Sequence, residues 1–78
     1  MKTIIVYGPG CAKCTQTMDV IRRVIGESGV QVDLRKVSDL REIVMAGIMS
    51  TPAIKVDDVV TLTGRVPTAD EIKHWIAE

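Results

Sequence analysis

Thr3-Ile4-Ile5-Val6-Tyr7-Gly8-Pro9-Gly10-Cys11-Ala12-Lys13-Cys14 is the stretch that decides how this chain folds. Its first five residues are almost continuously apolar, the pattern of a strand covered on both faces. Gly8-Pro9-Gly10 then breaks the run and predicts a turn. Beyond it, Cys14, Met18, Ile21 and Ile25 recur at helical spacing, as on a helix face turned toward a core. Cys11 falls in the first turn of that helix, where backbone N–H groups have no helical partner. It is expected to be exposed, with Cys14 one turn deeper on the buried side. A Cys-x-x-Cys that opens a helix after a strand reads as a redox motif.

Working outward, the first helix is predicted over roughly Cys11 to Glu27, with Ser28-Gly29 as its stop. Val30, Val32 and Leu34 alternate with polar residues and predict a strand with one buried face. Asp39 is a plausible N-cap with Glu42 three residues on, opening a short helix whose apolar side carries Leu40, Ile43 and Val44. Gly47 is placed to end it. Ser50-Thr51-Pro52 leads into a third strand, Ala53-Ile54-Lys55-Val56. Asp57-Asp58 predicts a tight turn into Val59-Val60-Thr61-Leu62-Thr63, although Asp-Gly would be the stronger signal. Thr68 and Glu71 have the form of a capping box. They open a last helix with Ile72, Trp75 and Ile76 on its inner face.

The order is therefore β-α-β-α-β-β-α. A right-handed parallel β-α-β unit followed by an antiparallel hairpin gives an α/β fold, a four-stranded mixed sheet with helices on both faces. The 78 residues suffice for a single domain spanning 1–78. At 46% hydrophobic residues the chain can build a core. Ten basic and ten acidic residues cancel, and Tyr7 and Trp75 are the only aromatics. Such a chain makes a poor nucleic-acid binder. No apolar stretch approaches the roughly 20 residues that cross a bilayer, and the N-terminus lacks the regions of a signal peptide. A cytoplasmic monomer is expected, and a cysteine pair in that compartment is more often catalytic or metal-binding than structural.

In this order the chain resembles the thioredoxin-fold family, in particular its short glutaredoxin-like redox-active disulfide proteins. The resemblance rests on Tyr7-Gly8-Pro9-Gly10-Cys11-Ala12-Lys13-Cys14, on Thr51-Pro52 before the third strand, and on Gly64-Arg65-Val66 before the last helix. It covers nearly the whole chain. It implies a thioredoxin-like fold and thiol–disulfide oxidoreductase activity, with Cys11 and Cys14 as the catalytic pair. Pro52 would be cis and lie beside the disulfide, and Thr51 would offer backbone groups to an extended substrate segment. Gly10, Ala12 and Lys13 complete the expected substrate-binding set. The redox-active disulfide itself would serve, with no bound cofactor. Partners would be a disulfide-containing protein substrate and a thioredoxin-reductase-like or glutathione-dependent electron donor. The chain departs from familiar relatives in carrying Ala-Lys between its cysteines.

The chemistry assigns the two sulfurs different roles. Exchange proceeds by thiolate attack, and at an ordinary pKa of about 8.5 only ~3% of a thiol is ionised at pH 7. Lowering that value by two units requires about 2.7 kcal/mol of selective anion stabilisation. A helix terminus supplies about 0.3–1 kcal/mol, or up to ~2 when partly buried. Direct N–H···S contacts and Lys13 are candidates for the remainder. Cys11 is thus read as nucleophile and Cys14 as the resolving cysteine.

A purely structural bridge over so short a loop would add only about 2 kcal/mol and restrain little that the helix does not. Soft-metal (Cu or Zn) binding, or redox sensing by the same pair, is the alternative function. Closed zinc sites usually need four ligands, whereas this chain offers two thiols and the sequence-remote His74. Small copper chaperones also carry Cys-x-x-Cys after a first strand, but they run β-α-β-β-α-β, commonly with Met where Pro9 stands here. Met45, Ile48 and Met49, ahead of Thr51-Pro52, suit either an apolar substrate groove or core packing. His74 reads as a surface or packed residue, Trp75 as core, and Gly64 as a turn glycine.

Overall fold

The computed structural model describes residues 2–10 and 12–77. Strand β1 (Lys2–Tyr7) leads to helix α1 (Ala12–Ser28), strand β2 (Val32–Val37), helix α2 (Leu40–Met45), the hairpin β3 (Ala53–Val56) and β4 (Val59–Thr63), and helix α3 (Ala69–Ile76). The sheet order is β2-β1-β3-β4, with β1 parallel to β2 and antiparallel to β3, and β3 antiparallel to β4. This is the expected mixed four-stranded α/β sheet.

β1 is central and apolar on both sides because both sides are covered. Ile4 and Val6 join Met18, Ile21 and Val24 of α1, Ile54 and Val56 of β3, and Ile72 and Ile76 of α3 in one core. Tyr7 joins Ile43, Ile48 and Ala53 in a smaller core on the other face, with Ile5, Val37 and Ala46 packed against it. Ile4, Ile21, Ile54 and Ile72 are fully buried. Each such side chain contributes about 1.5–3 kcal/mol relative to exposure. The α1 stripe differs slightly from its expected form: Val24 is buried and Ile25 only half-buried, and the polar Thr17 is buried as well. Thr17 is tolerated because its Oγ1 donates to the Lys13 carbonyl at 2.8 Å.

Two expectations are corrected. Val30 lies outside β2, which starts at Val32 and runs on to Val37, and Val30 is exposed. Alternation alone sets a strand's faces, whereas its ends follow pairing, here Lys2 with Val32 through Tyr7 with Val37. On α2 only Ile43 is buried; Leu40 is 64% and Val44 66% exposed. A helix of six residues can turn little more than one side chain into the core.

The caps formed as read. Asp39 accepts from the Arg41 N–H at 2.9 Å, and Gly47 follows α2 at φ +78. Thr68 and Glu71 form the reciprocal capping box of α3. Asp57 and Asp58 both take positive φ, the requirement of a two-residue hairpin turn with this twist. Asp57 is held there by Thr3, whose N–H donates to Oδ1 and whose carbonyl accepts from the Asp57 N–H, both at 2.9 Å.

Candidate functional site

The junction between β1 and α1 holds the downstream cysteine in a defined position. Cys14 lies on the buried side of the first turn of α1 with no exposed surface. Gly8, the first residue after β1, is packed against it. A Cβ built on Gly8 would overlap the Cys14 Sγ and come within 2.9 Å of its Cβ. Gly8 is thus required by close approach, a need its role as a strand breaker did not reveal. Its N–H donates to the Val37 carbonyl at 2.9 Å, tying the junction to the end of β2.

The proline loop arrives at the same end of the sheet. Tyr7 stands opposite Ala53 in the β1–β3 ladder, so Gly8 and Pro52 are the next residues outward on the two chains. The Thr51–Pro52 peptide bond is cis, Pro52 is buried and Thr51 half-buried. The Pro52 carbonyl accepts from the Gly64 N–H at 2.9 Å, and Gly64 has φ +82. The glycine before α3 therefore fastens the proline loop as well as making a turn.

Of the other expected site residues, Gly10 is exposed at φ +94, a conformation that favours glycine. Ala12 and Lys13 are exposed on the first turn of α1. Cys11, the expected nucleophile, lies outside the described residues. Ile48 proves to be core, Met49 is 97% exposed, and Met45 lines an open groove with Tyr7, Val37, Glu42 and Ala46. His74 is exposed, and Trp75 is half-buried against the larger core. Among the described residues, no three His, Cys, Asp or Glu side chains are grouped as a metal site. No helix among them is long and apolar enough to cross a membrane.

Three features escaped the residue pattern. Thr17 was hidden by its polarity, although it stands three residues from Cys14 on the same stripe. The Lys55 ammonium lies 5.9 Å from the centroid of the Tyr7 ring, a pairing across β1 and β3 that only register discloses. Arg65 forks onto Glu71, with Nη1 to Oε1 at 2.8 Å and Nη2 to Oε2 at 2.6 Å. The guanidinium, followed by the Thr68 backbone N–H, lowers the Glu71 carboxyl to about 2. The same hydrogen bond raises the Arg65 pKa. Together they clamp the segment after β4 to the start of α3.

Comparison with known proteins agrees with this geometry. Residues 2–77 match a family model described as "Thioredoxin domain". A thioredoxin of Methanocaldococcus jannaschii is 36% identical over 74 residues, spanning 95% of this chain and 85% of the relative. A thioredoxin of Methanothermobacter thermautotrophicus is 33% identical over 77 residues, spanning 99% and 100% respectively. With the strand–helix junction, the cis proline and the four-stranded sheet in place, the chain belongs to the thioredoxin-domain family and is a thioredoxin-like redox protein.

Proposed function

We propose that the chain is a thiol–disulfide oxidoreductase in which Cys11 attacks and Cys14 resolves. The observation that carries this reading is the burial of Cys14 against Gly8, one turn into α1, at the sheet end where the cis Thr51–Pro52 loop arrives. A sulfur so enclosed is a poor attacker of an external disulfide, which leaves Cys14 the second, intramolecular step. Cys11 directly precedes Ala12 in sequence, the first described residue of α1, and the unpaired N–H groups of a helix start favour a thiolate.

In the first step the Cys11 thiolate forms a bond to one substrate sulfur, the substrate disulfide breaks, and the departing thiolate takes a proton from solvent. In the second, Cys14 gives up its proton and attacks Cys11, closing Cys11–Cys14 and releasing the second substrate thiol. The substrate gains two electrons and the dithiol loses two. Thr51, Pro52, Gly10, Ala12 and Lys13 would border the substrate segment. The cysteine pair is the redox group, and no separate cofactor is needed. A reductase resembling thioredoxin reductase, or glutathione, would return the electrons in a cytoplasm that keeps thiols reduced.

The test is adduct trapping. Cys14→Ser should accumulate mixed disulfides with protein or small disulfides, whereas Cys11→Ser should not. Equal trapping by both variants would overturn the assignment. The reduction potential of the pair selects the donor: about −270 mV suits a thioredoxin-like reductant, and about −200 to −230 mV a glutaredoxin-like one.

A further inference from the structure

The groove beside the junction has no part in the exchange steps above, yet it lies next to them. Tyr7 and Val37 are the last residues of the parallel strands β1 and β2, and both line it. The Val37 carbonyl holds Gly8, and Gly8 backs Cys14. A segment whose cysteine is presented at the junction therefore has its neighbouring residue within reach of the groove. In open α/β sheets this end, beyond the carboxyl ends of parallel strands, is where ligands are received.

The lining has a definite chemistry. Tyr7, Val37, Met45 and Ala46 supply apolar walls, and Glu42 is the one charged residue among them. Glu42 is exposed, and among the described residues its carboxylate has no hydrogen-bond or salt-bridge partner. No lysine or arginine lines the groove. Of the cations on the same sheet face, Lys55 stands at the Tyr7 ring and Arg35 is paired with Asp33. An apolar trough with one unmatched carboxylate suits a side chain with an aliphatic stem and a cationic tip. It suits less well a ligand such as glutathione, whose two carboxylates would face Glu42 with no cation in the lining.

Resting on the oxidoreductase reading, we infer that this groove selects protein disulfides in which a lysine or arginine flanks the reactive cysteine. The stem lies between Tyr7, Val37 and Met45, and the charge meets Glu42.

The test uses reduced full-length protein and a peptide series. Each peptide carries one cysteine joined in a disulfide to mercaptoethanol, flanked by lysine, arginine, norleucine or glutamate. Lysine and arginine peptides should react about three- to fivefold faster than norleucine at low ionic strength, and glutamate slower by a similar factor, the range of an exposed ion pair. High salt should compress the spread. Glu42→Gln should remove the lysine-over-norleucine preference, and Glu42→Lys should invert the lysine-to-glutamate ratio. Met45→Ala should slow the lysine and norleucine peptides alike. A flat series with an active wild-type protein, or ratios unmoved by both Glu42 variants, would overturn the inference alone. Failure of the wild-type protein to outpace dithiothreitol on the norleucine peptide would overturn the oxidoreductase reading and this inference together.

Discussion

Gly8 and Cys14 are packed so closely that no side chain can be placed between them. The contact joins the end of β1 to the first turn of α1, so it fixes the depth of Cys14 beneath the junction. Gly8→Ala must push one of the two elements away. Overpacking of this kind costs about 1–3 kcal/mol, or a Tm lower by several degrees in a domain this small. Replacing Cys14 by Ala removes the sulfur but leaves a Cβ, so the Gly8→Ala penalty should shrink in that background without vanishing. A double-mutant cycle in urea measures both. Equal penalties in the two backgrounds would mean that the sulfur is not what Gly8 accommodates.

The Arg65–Glu71 clamp predicts an acid-side loss of stability. Glu71 is held at about 2, below its ordinary value, chiefly by the Arg65 hydrogen bonds. A carboxyl depressed on folding stabilises the native state fully above its unfolded pKa of about 4.3, and that contribution is lost as pH falls through the folded value. The Tm difference between wild type and Glu71→Gln should therefore be constant above about pH 6 and narrow between about pH 5 and 2. Because the pair is solvent-accessible, the difference should be small throughout and salt-sensitive. A difference that widened on acidification would contradict the clamp.

Burial, rather than hydrophobic type, sets the cost of changes on α2. Ile43→Ala should destabilise by about 2–5 kcal/mol, since Ile43 packs with Tyr7, Ile48 and Ala53. Leu40→Ser and Val44→Ser should fall within about 0.5 kcal/mol of wild type. Denaturant midpoints separate the cases, and a costly Leu40→Ser would show that Leu40 is covered in solution.

Lys55 and Tyr7 should be energetically coupled. Their cation–π geometry, with Lys55 half-buried, predicts a loss of about 0.5–1 kcal/mol for Lys55→Gln. In a Tyr7→Leu background the same change should cost less. Additivity within about 0.3 kcal/mol would dismiss the pairing.

Much of this was legible from residue order, for physical reasons that can be named. The two-sided apolar run Thr3–Tyr7 could only be a central strand, and it is one. Thr68 with Glu71, and Asp57 with Asp58, announced a cap and a turn because those side chains act on backbone a few residues away. What stayed hidden depends on distant partners. Gly8 looks like punctuation until α1 is folded against it. Thr17 looks exposed until its hydroxyl is seen to bond the Lys13 carbonyl. Leu40 and Val44 looked buried because periodicity gives a helix one apolar side without saying how much of it the sheet will cover. The Glu42 groove needed the ends of two strands and a helix together, which no local window contains.

The two sides of the sheet are held unequally. One face is covered by α1, which carries Cys14, and by α3, of 17 and eight residues, while the Tyr7 side is covered by the six-residue α2 with one buried side chain. Amide protons of α2 should therefore exchange with solvent through a local opening well below the global unfolding free energy, while those of the central strand β1 and of α1 around the fully buried Ile21 exchange only as the whole molecule unfolds. The molecule can breathe on its α2 side while the packing of the opposite face, which carries Cys14, stays closed.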